Sequence, residues 1–233
     1  RRRRALAPPH GVRTDLEVIA ALASALGTAA SCAFPTEPEA VFEELRAASA
    51  GGPADYSGIS YGRLDAGEAL HWPCPSSTPD PHPGTSRLFL DGFAHPDGLA
   101  RFVPVDHAGP AERTDREFPL WATTGRVLAH YQSGTQTRRV AELAEVEPES
   151  FVEVHPDTAA RAGLADGEPA RVVSRRGRAR AVVRYTPGLR PDTVFLPFHF
   201  AAEQSANLVT NPALDPISRM PEFKACAVRL EPA

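Results

Sequence analysis

Three polar stretches in the second half of the chain carry the residues best suited to chemistry. The first is Thr123-Thr124-Gly125-Arg126, followed by His130 and then Ser133-Gly134-Thr135-Gln136-Thr137-Arg138-Arg139. Glycines let the backbone approach a ligand closely, hydroxyls and main-chain N–H groups are neutral donors, and three arginines are forked positive ones. Together they suit a pyrophosphate or another polyanion. The same composition also makes an ordinary solvated turn. The second stretch is Ala206-Asn207-Leu208-Val209-Thr210, after the aromatic run Phe198-His199-Phe200, and the third is Pro221-Glu222-Phe223-Lys224. Asparagine can donate and accept at once along the edge of a heteroaromatic ring, and lysine supplies a point charge. A plain polar loop is the other reading of both.

Composition sharpens the last two. Arginine outnumbers lysine 24 to 1, and the single lysine, Lys224, and the two asparagines, Asn207 and Asn211, all fall within the last thirty residues. The net charge of -4 leaves no face basic enough to hold a nucleic acid through its phosphates. No apolar run approaches the roughly 20 residues of a membrane span, and no secretory signal opens the chain, so it reads as soluble and cytoplasmic. Cys32, Cys74 and Cys226 are far apart and form no CxxC pair, so they are expected to be plain thiols. Neither a metal site nor a catalytic residue is expected here. The chain opens on four arginines without a methionine, which reads as a solvated element end within a longer protein.

These stretches need elements to position them. Residues 14–27 place Leu16, Ile19, Ala20, Ala23 and Leu26 on one helical stripe, with Thr14 as N-cap, Glu17 three residues on and Gly27 as the stop. A second helix is expected from Pro38 to Ala48, with Val41, Phe42 and Leu45 inward; both helices are expected to face a core. From Ala50 to Asp115 the chain is crowded with Gly, Pro, Ser and Asp and reads as irregular structure wrapped on something larger. After Phe118 the pattern becomes short strands: Leu120 to Thr124, Phe151 to Val154, Ala170 to Ser174, Ala179 to Tyr185 and Thr193 to Phe198. One short helix, Pro156 to Gly163, interrupts them, and a turn near Gly177 joins two of them. Strands, turns and one small helix indicate a β-barrel.

The ordered blocks PLWATTGRVLAHYQSGTQTRR, FVEVHPDTAARAGLADGEPARVVSRRG and ANLVTNPALDPISRMPEFKACAVRL resemble the molybdopterin dinucleotide-binding domain that ends bacterial molybdenum oxidoreductases. That likeness covers Phe118 to Leu230. Upstream, DLEVIAALASALG, FEELR, DYSGISYGRL, WPCP, LFLDGFAHPDGLARF and REFPL are similar to the segment preceding this domain in assimilatory nitrate reductases. The resemblance implies an α+β chain: residues 1–117 as the incomplete end of an α/β region with long loops, then a six-stranded double-psi β-barrel over 118–233. It implies molybdopterin guanine dinucleotide, as Mo-bis-MGD, gripped by Thr124, Gly125, Arg126, His130, Gly134, Thr135, Thr137, Asn207 and Lys224. An aromatic contact from His199 or Phe200 completes the set. The 4Fe-4S cluster and the molybdenum ligand of the family lie upstream of the matched region, so the chain alone is expected to lack the reaction centre. Implied partners are the N-terminal remainder of the catalytic polypeptide and an electron donor. Formate dehydrogenase is the rival enzyme reading, and a stand-alone barrel module the non-enzyme one.

Overall fold

The computed structural model describes residues 1–233 as two compact units, Arg1–Pro104 and Val105–Ala233. The first unit holds three helices, α1 (Asp15–Ala25), α2 (Pro38–Ser49) and α3 (Tyr61–Asp65), joined by loops and without a strand. Helix α1 begins where its capping residues require. The Glu17 N–H donates to Thr14 Oγ1 at 3.3 Å and the Thr14 N–H to the Glu17 carboxylate at 2.7 Å, a reciprocal cap. Its expected core stripe is corrected, however: Ala23 alone is buried, while Ile19, Leu22 and Leu26 stand exposed. Helix α2 likewise leaves Leu45 exposed. Periodicity shows which residues share a face, but whether that face is covered depends on what is packed against it.

The loops after α2 are bonded more densely than their composition suggests. Asp55 accepts the N–H groups of Gly51 and Ser57, and Arg46 donates to Ser57 O. Arg63 reaches Gly58 O at 2.7 Å, His82 O at 2.8 Å and the Glu68 carboxylate at 2.6 Å. Cys74 is part of this lock: its thiol lies 3.7 Å from Arg63 and donates to His82 O. Gly58 is obligatory, since a Cβ there would lie 2.5 Å from Cys74 O.

The second unit is a closed barrel of six strands: β1 (Leu120–Gly125), β2 (Phe151–Val154), β3 (Pro169–Ser174), β4 (Arg178–Tyr185), β5 (Thr193–Pro197) and β6 (Cys226–Pro232). Their order around the barrel is β1-β5-β2-β4-β3-β6, with β1·β5 and β2·β4 parallel and the other pairs antiparallel. Alternate residues point inward, so Val152, Val154, Val172, Val183, Val194, Leu196 and Val228 fill the interior. Those β-branched side chains suit a pleated, enclosed surface. Helix α5 (Pro156–Arg161) packs on it through Ala159 and is capped by His155, whose Nδ1 accepts from Asp157 N–H at 3.2 Å, while α4 (Ala141–Val146) follows the turn at 137–139. The β3–β4 turn closes where Gly177 was expected to place it, with Ser174 N–H donating to Gly177 O. Strand β6, and helices α3 and α4, had no distinct signal of their own in the pattern.

By its internal packing this unit begins at Val105. The reason is electrostatic. Glu112 takes Arg175 at 2.5 Å, Arg176 at 2.8 Å and the Ala227 N–H at 3.0 Å, while Asp115 pairs with Arg175 and accepts the Phe118 N–H. Burial pushes the Glu112 carboxyl upward, but the bonds from Arg176, Ala227 and Arg175 outweigh it and hold the group below the usual carboxylate range. The segment before β1 is thereby sewn to the β3–β4 turn and to β6. Upstream of it, Phe102 is 93% exposed and Val103 and Val105 are also exposed. Chymotrypsin is accordingly expected to cut first after Phe102, leaving a resistant fragment that contains the barrel. Early cleavage between β3 and β5 with Phe102 intact would contradict the division.

Candidate functional site: the loops at one end of the barrel

The parallel pairing of β1 with β5 builds the site. Its register, Thr123↔Phe195, Thr124↔Leu196 and Gly125↔Pro197, makes both strands end at the same rim, so residues 126–140 and 198–211 leave side by side. The end of the loop before β6 joins them: Thr124 Oγ1 donates to Phe223 O at 3.0 Å, and Lys224 Nζ donates to Thr124 O. Three stretches separated by up to a hundred residues thus share one rim.

At its exposed part, Arg126 and Lys224 flank one aromatic ring. The Arg126 guanidinium lies 5.3 Å and the Lys224 ammonium 5.6 Å from the centre of Phe198, and Lys224 also lies 5.2 Å from Phe223. Arg126 donates to Gln132 Oε1 at 3.0 Å. Thr135 shares a hydrogen bond with Ser133 at 2.8 Å, and both hydroxyls are exposed. The ion pairs of this unit use Arg175, Arg176, Arg180, Arg184, Arg190 and Arg229; none involves Arg126, Arg138, Arg139 or Lys224. An uncompensated cationic ledge with hydroxyl and amide donors is what an anionic, partly aromatic ligand requires.

The remaining expected residues divide differently. Thr124 is buried, with its hydroxyl occupied by Phe223 O. Gly125 has no room for a side chain, because a Cβ would lie 2.5 Å from the Phe195 ring. Gly134 has φ +72, and a Cβ there would lie 2.5 Å from His199 O. His130 is buried, with Nε2 2.8 Å from Glu147 O and Nδ1 3.1 Å from Thr137 Oγ1. Since a carbonyl only accepts, Nε2 carries the proton, and Thr137 donates to Nδ1 while accepting the Tyr131 N–H at 3.2 Å. Asn207 is exposed on the turn 206–208, whose neighbour is the β3–β4 turn: Arg176 donates to Val209 O at 2.9 Å. Of the aromatic pair, His199 is fully buried and Phe200 nearly so, and Phe200 stands edge-on to His130 at 5.5 Å.

Sequence reasoning passed over Gln132 and Phe198. Gln132 holds a left-handed φ of +51 and touches Arg126, and no residue type announces that role. Phe198 lay inside the aromatic run already singled out, but pairing it with Arg126 and Lys224 depends on strand register. A cavity of about 500 Å³ lies elsewhere, on the outer face of β3 and β4 beside Arg171, Arg178, Arg180 and Glu203. The cationic ledge is an open surface, and cavity size is a poor guide to such a site.

Residues 120–227 match the family described as Molydopterin dinucleotide binding domain. The chain is 46% identical over 226 residues to the assimilatory nitrate reductase catalytic subunit of Bacillus subtilis, covering 96% of this chain and 31% of that one. It is 37% identical to the F420-dependent formate dehydrogenase 1 subunit alpha of Methanococcus maripaludis, covering 98% and 32%. The periplasmic nitrate reductase of Desulfovibrio desulfuricans is 32% identical, with 99% and 32% covered. The chain therefore spans about a third of the length of these relatives. The barrel thus carries the match to the molydopterin dinucleotide binding domain family, and the chain as a whole is similar to a stretch of nitrate reductases and formate dehydrogenases.

Proposed function

We propose that this chain is the cofactor-holding C-terminal part of a molybdenum oxidoreductase that reduces nitrate to nitrite, using Mo-bis-MGD and a 4Fe-4S cluster carried elsewhere in the polypeptide. The observation that carries the reading is the uncompensated cationic ledge of Arg126 and Lys224 around Phe198, on a barrel that matches the dinucleotide-binding family. The donor set fits the group. Arg126 offers a fork to a pyrophosphate, Lys224 has N–H groups beyond the one given to Thr124 O, and Asn207, Thr135 and backbone N–H groups can address the remaining polar edges. Thr124, Gly125, His130, Gly134 and Thr137 shape the loops that present them.

When bound, the molybdenum cofactor supplies oxygen-atom transfer: nitrate gives up one oxygen and takes two electrons and two protons, yielding nitrite and water. This chain's own residues bind and orient the dinucleotide. Residues 1–117 are read as the end of an α/β region that packs on the rest of the polypeptide. The exposed stripe of Ile19, Leu22 and Leu26 supports that placement, since such faces are normally covered. An electron-donor protein or domain is the second partner. No helix is long and apolar enough to cross a membrane. A cytoplasmic enzyme is proposed on the likeness to the assimilatory relative.

Formate oxidation is the second reading; it rests on the 37% identity to a formate dehydrogenase, which is lower than the 46% to the nitrate reductase. The complete polypeptide carrying this chain is expected to oxidise reduced viologen when nitrate is added and to leave oxidised viologen unreduced with formate. The opposite pair of results would replace nitrate by formate.

A further inference from the structure

We propose that His199 is a positioning residue, a neutral imidazole that clasps residues 127–132 and thereby sets the aim of Arg126 toward the dinucleotide. This rests on the reading of the ledge as the cofactor site, and it gives His199 a different task from the direct contact implied by resemblance.

Just past the paired strands the Phe198 N–H donates to Gly125 O at 3.2 Å, which holds the two exits together. The Val127 N–H donates to His199 Nε2 at 2.9 Å. An amide N–H only donates, so Nε2 must be the unprotonated nitrogen and Nδ1 the protonated one. Nδ1 in turn donates to Gln132 O. Both nitrogens are occupied, the side chain is fully buried, and no atom of the ring remains for a ligand. One ring thus ties both ends of a six-residue segment, Val127 to Gln132, to the exit of β5.

Burial is the largest influence on this imidazole and disfavours its charged form; the charged or titratable groups facing it, His130 and Arg126, act in the same direction. The Gln132 carbonyl favours the charge and is outweighed. A second proton would place N–H against N–H at Val127, so the geometry and the electrostatics agree on the neutral tautomer. Gln132 connects the clasp to the ledge. Its carbonyl is held by His199, its backbone is left-handed, and its side-chain oxygen receives Arg126 at 3.0 Å. If Gln132 shifts, Arg126 loses its support over Phe198. Gly134 permits the approach, because any side chain there would strike His199 O.

The test uses the complete polypeptide purified with its cofactor, and reads guanine nucleotide released per polypeptide together with hydrogen exchange of the peptide spanning 126–134. His199→Phe keeps the ring volume and removes both bonds; it is expected to lower retained nucleotide roughly tenfold or more and to deprotect the peptide. His199→Asn and His199→Gln can each replace one of the two bonds and should fall between. Wild-type retention in His199→Phe would overturn the proposal, as would amide variants no better than phenylalanine. Should His199→Phe fail to fold, the two amide variants decide: reduced retention with raised exchange supports the clasp, and wild-type values in both overturn it. Arg126→Ala separates the two layers. Full retention there would sink the reading of the ledge itself, whereas loss in Arg126→Ala with none in the His199 variants would sink the clasp alone.

Discussion

Gly134→Ala is expected to dismantle the cofactor loop more thoroughly than any removal of an exposed donor. Position 134 has φ +72, which costs an L-residue about 1–2 kcal/mol. The added methyl would also lie 2.5 Å from His199 O and within 3.2 Å of two Arg138 atoms. The arginine can swing away, but the carbonyl is main chain and cannot. Either the loop lifts or β5 shifts at its exit, for a combined cost of about 2–4 kcal/mol. The Gly134 amide bonded to Tyr131 O and the Arg138 amide bonded to Gly134 O would be disturbed together. Retained dinucleotide should fall to about a tenth or less, with a lower unfolding temperature. Gly188→Ala is the matched control, because no atom lies within 4 Å of a Cβ there. Equal behaviour of the two variants would show that the loop does not need its glycine.

Lys224→Ala should leave the fold intact and release the cofactor. The residue is exposed, so little packing is lost with it. Its ammonium donates to Thr124 O and lies 5.6 Å from Phe198 and 5.2 Å from Phe223, which holds it on the ledge with donors to spare. A charge-assisted contact to a ligand acceptor contributes roughly 1.5–3 kcal/mol, so retention should weaken by about one to two orders of magnitude. Lys224→Arg is expected to restore part of this, since the planar fork cannot make the same compact contact to Thr124 O. Lys224→Met keeps the stem on the rings and should behave like alanine if charge is what matters. Wild-type nucleotide content in Lys224→Ala would remove this residue from the site.

The sequence by itself determined the local elements and the composition of the ledge. Short apolar and alternating runs between turn residues placed five of the six strands, because an enclosed sheet demands apolar side chains at every second position. Thr14, Glu17, Pro156 and Gly177 marked their helix ends and turn for reasons that act within a few residues. The isolation of Lys224 among arginines pointed to the third stretch before any geometry was known.

Only the tertiary structure decided which of those polar residues face outward. The parallel register of β1 with β5 is a long-range pairing that brings the loops to one rim, where Arg126 and Lys224 are exposed and His130 and His199 are buried. Resemblance placed all four in one list, since a loop that holds a ligand and the side chains that hold that loop occupy the same stretch of chain. The hydrophobic stripe of α1 is the converse case: its spacing was legible, but burial is a property of what lies against a face, and this chain does not cover it.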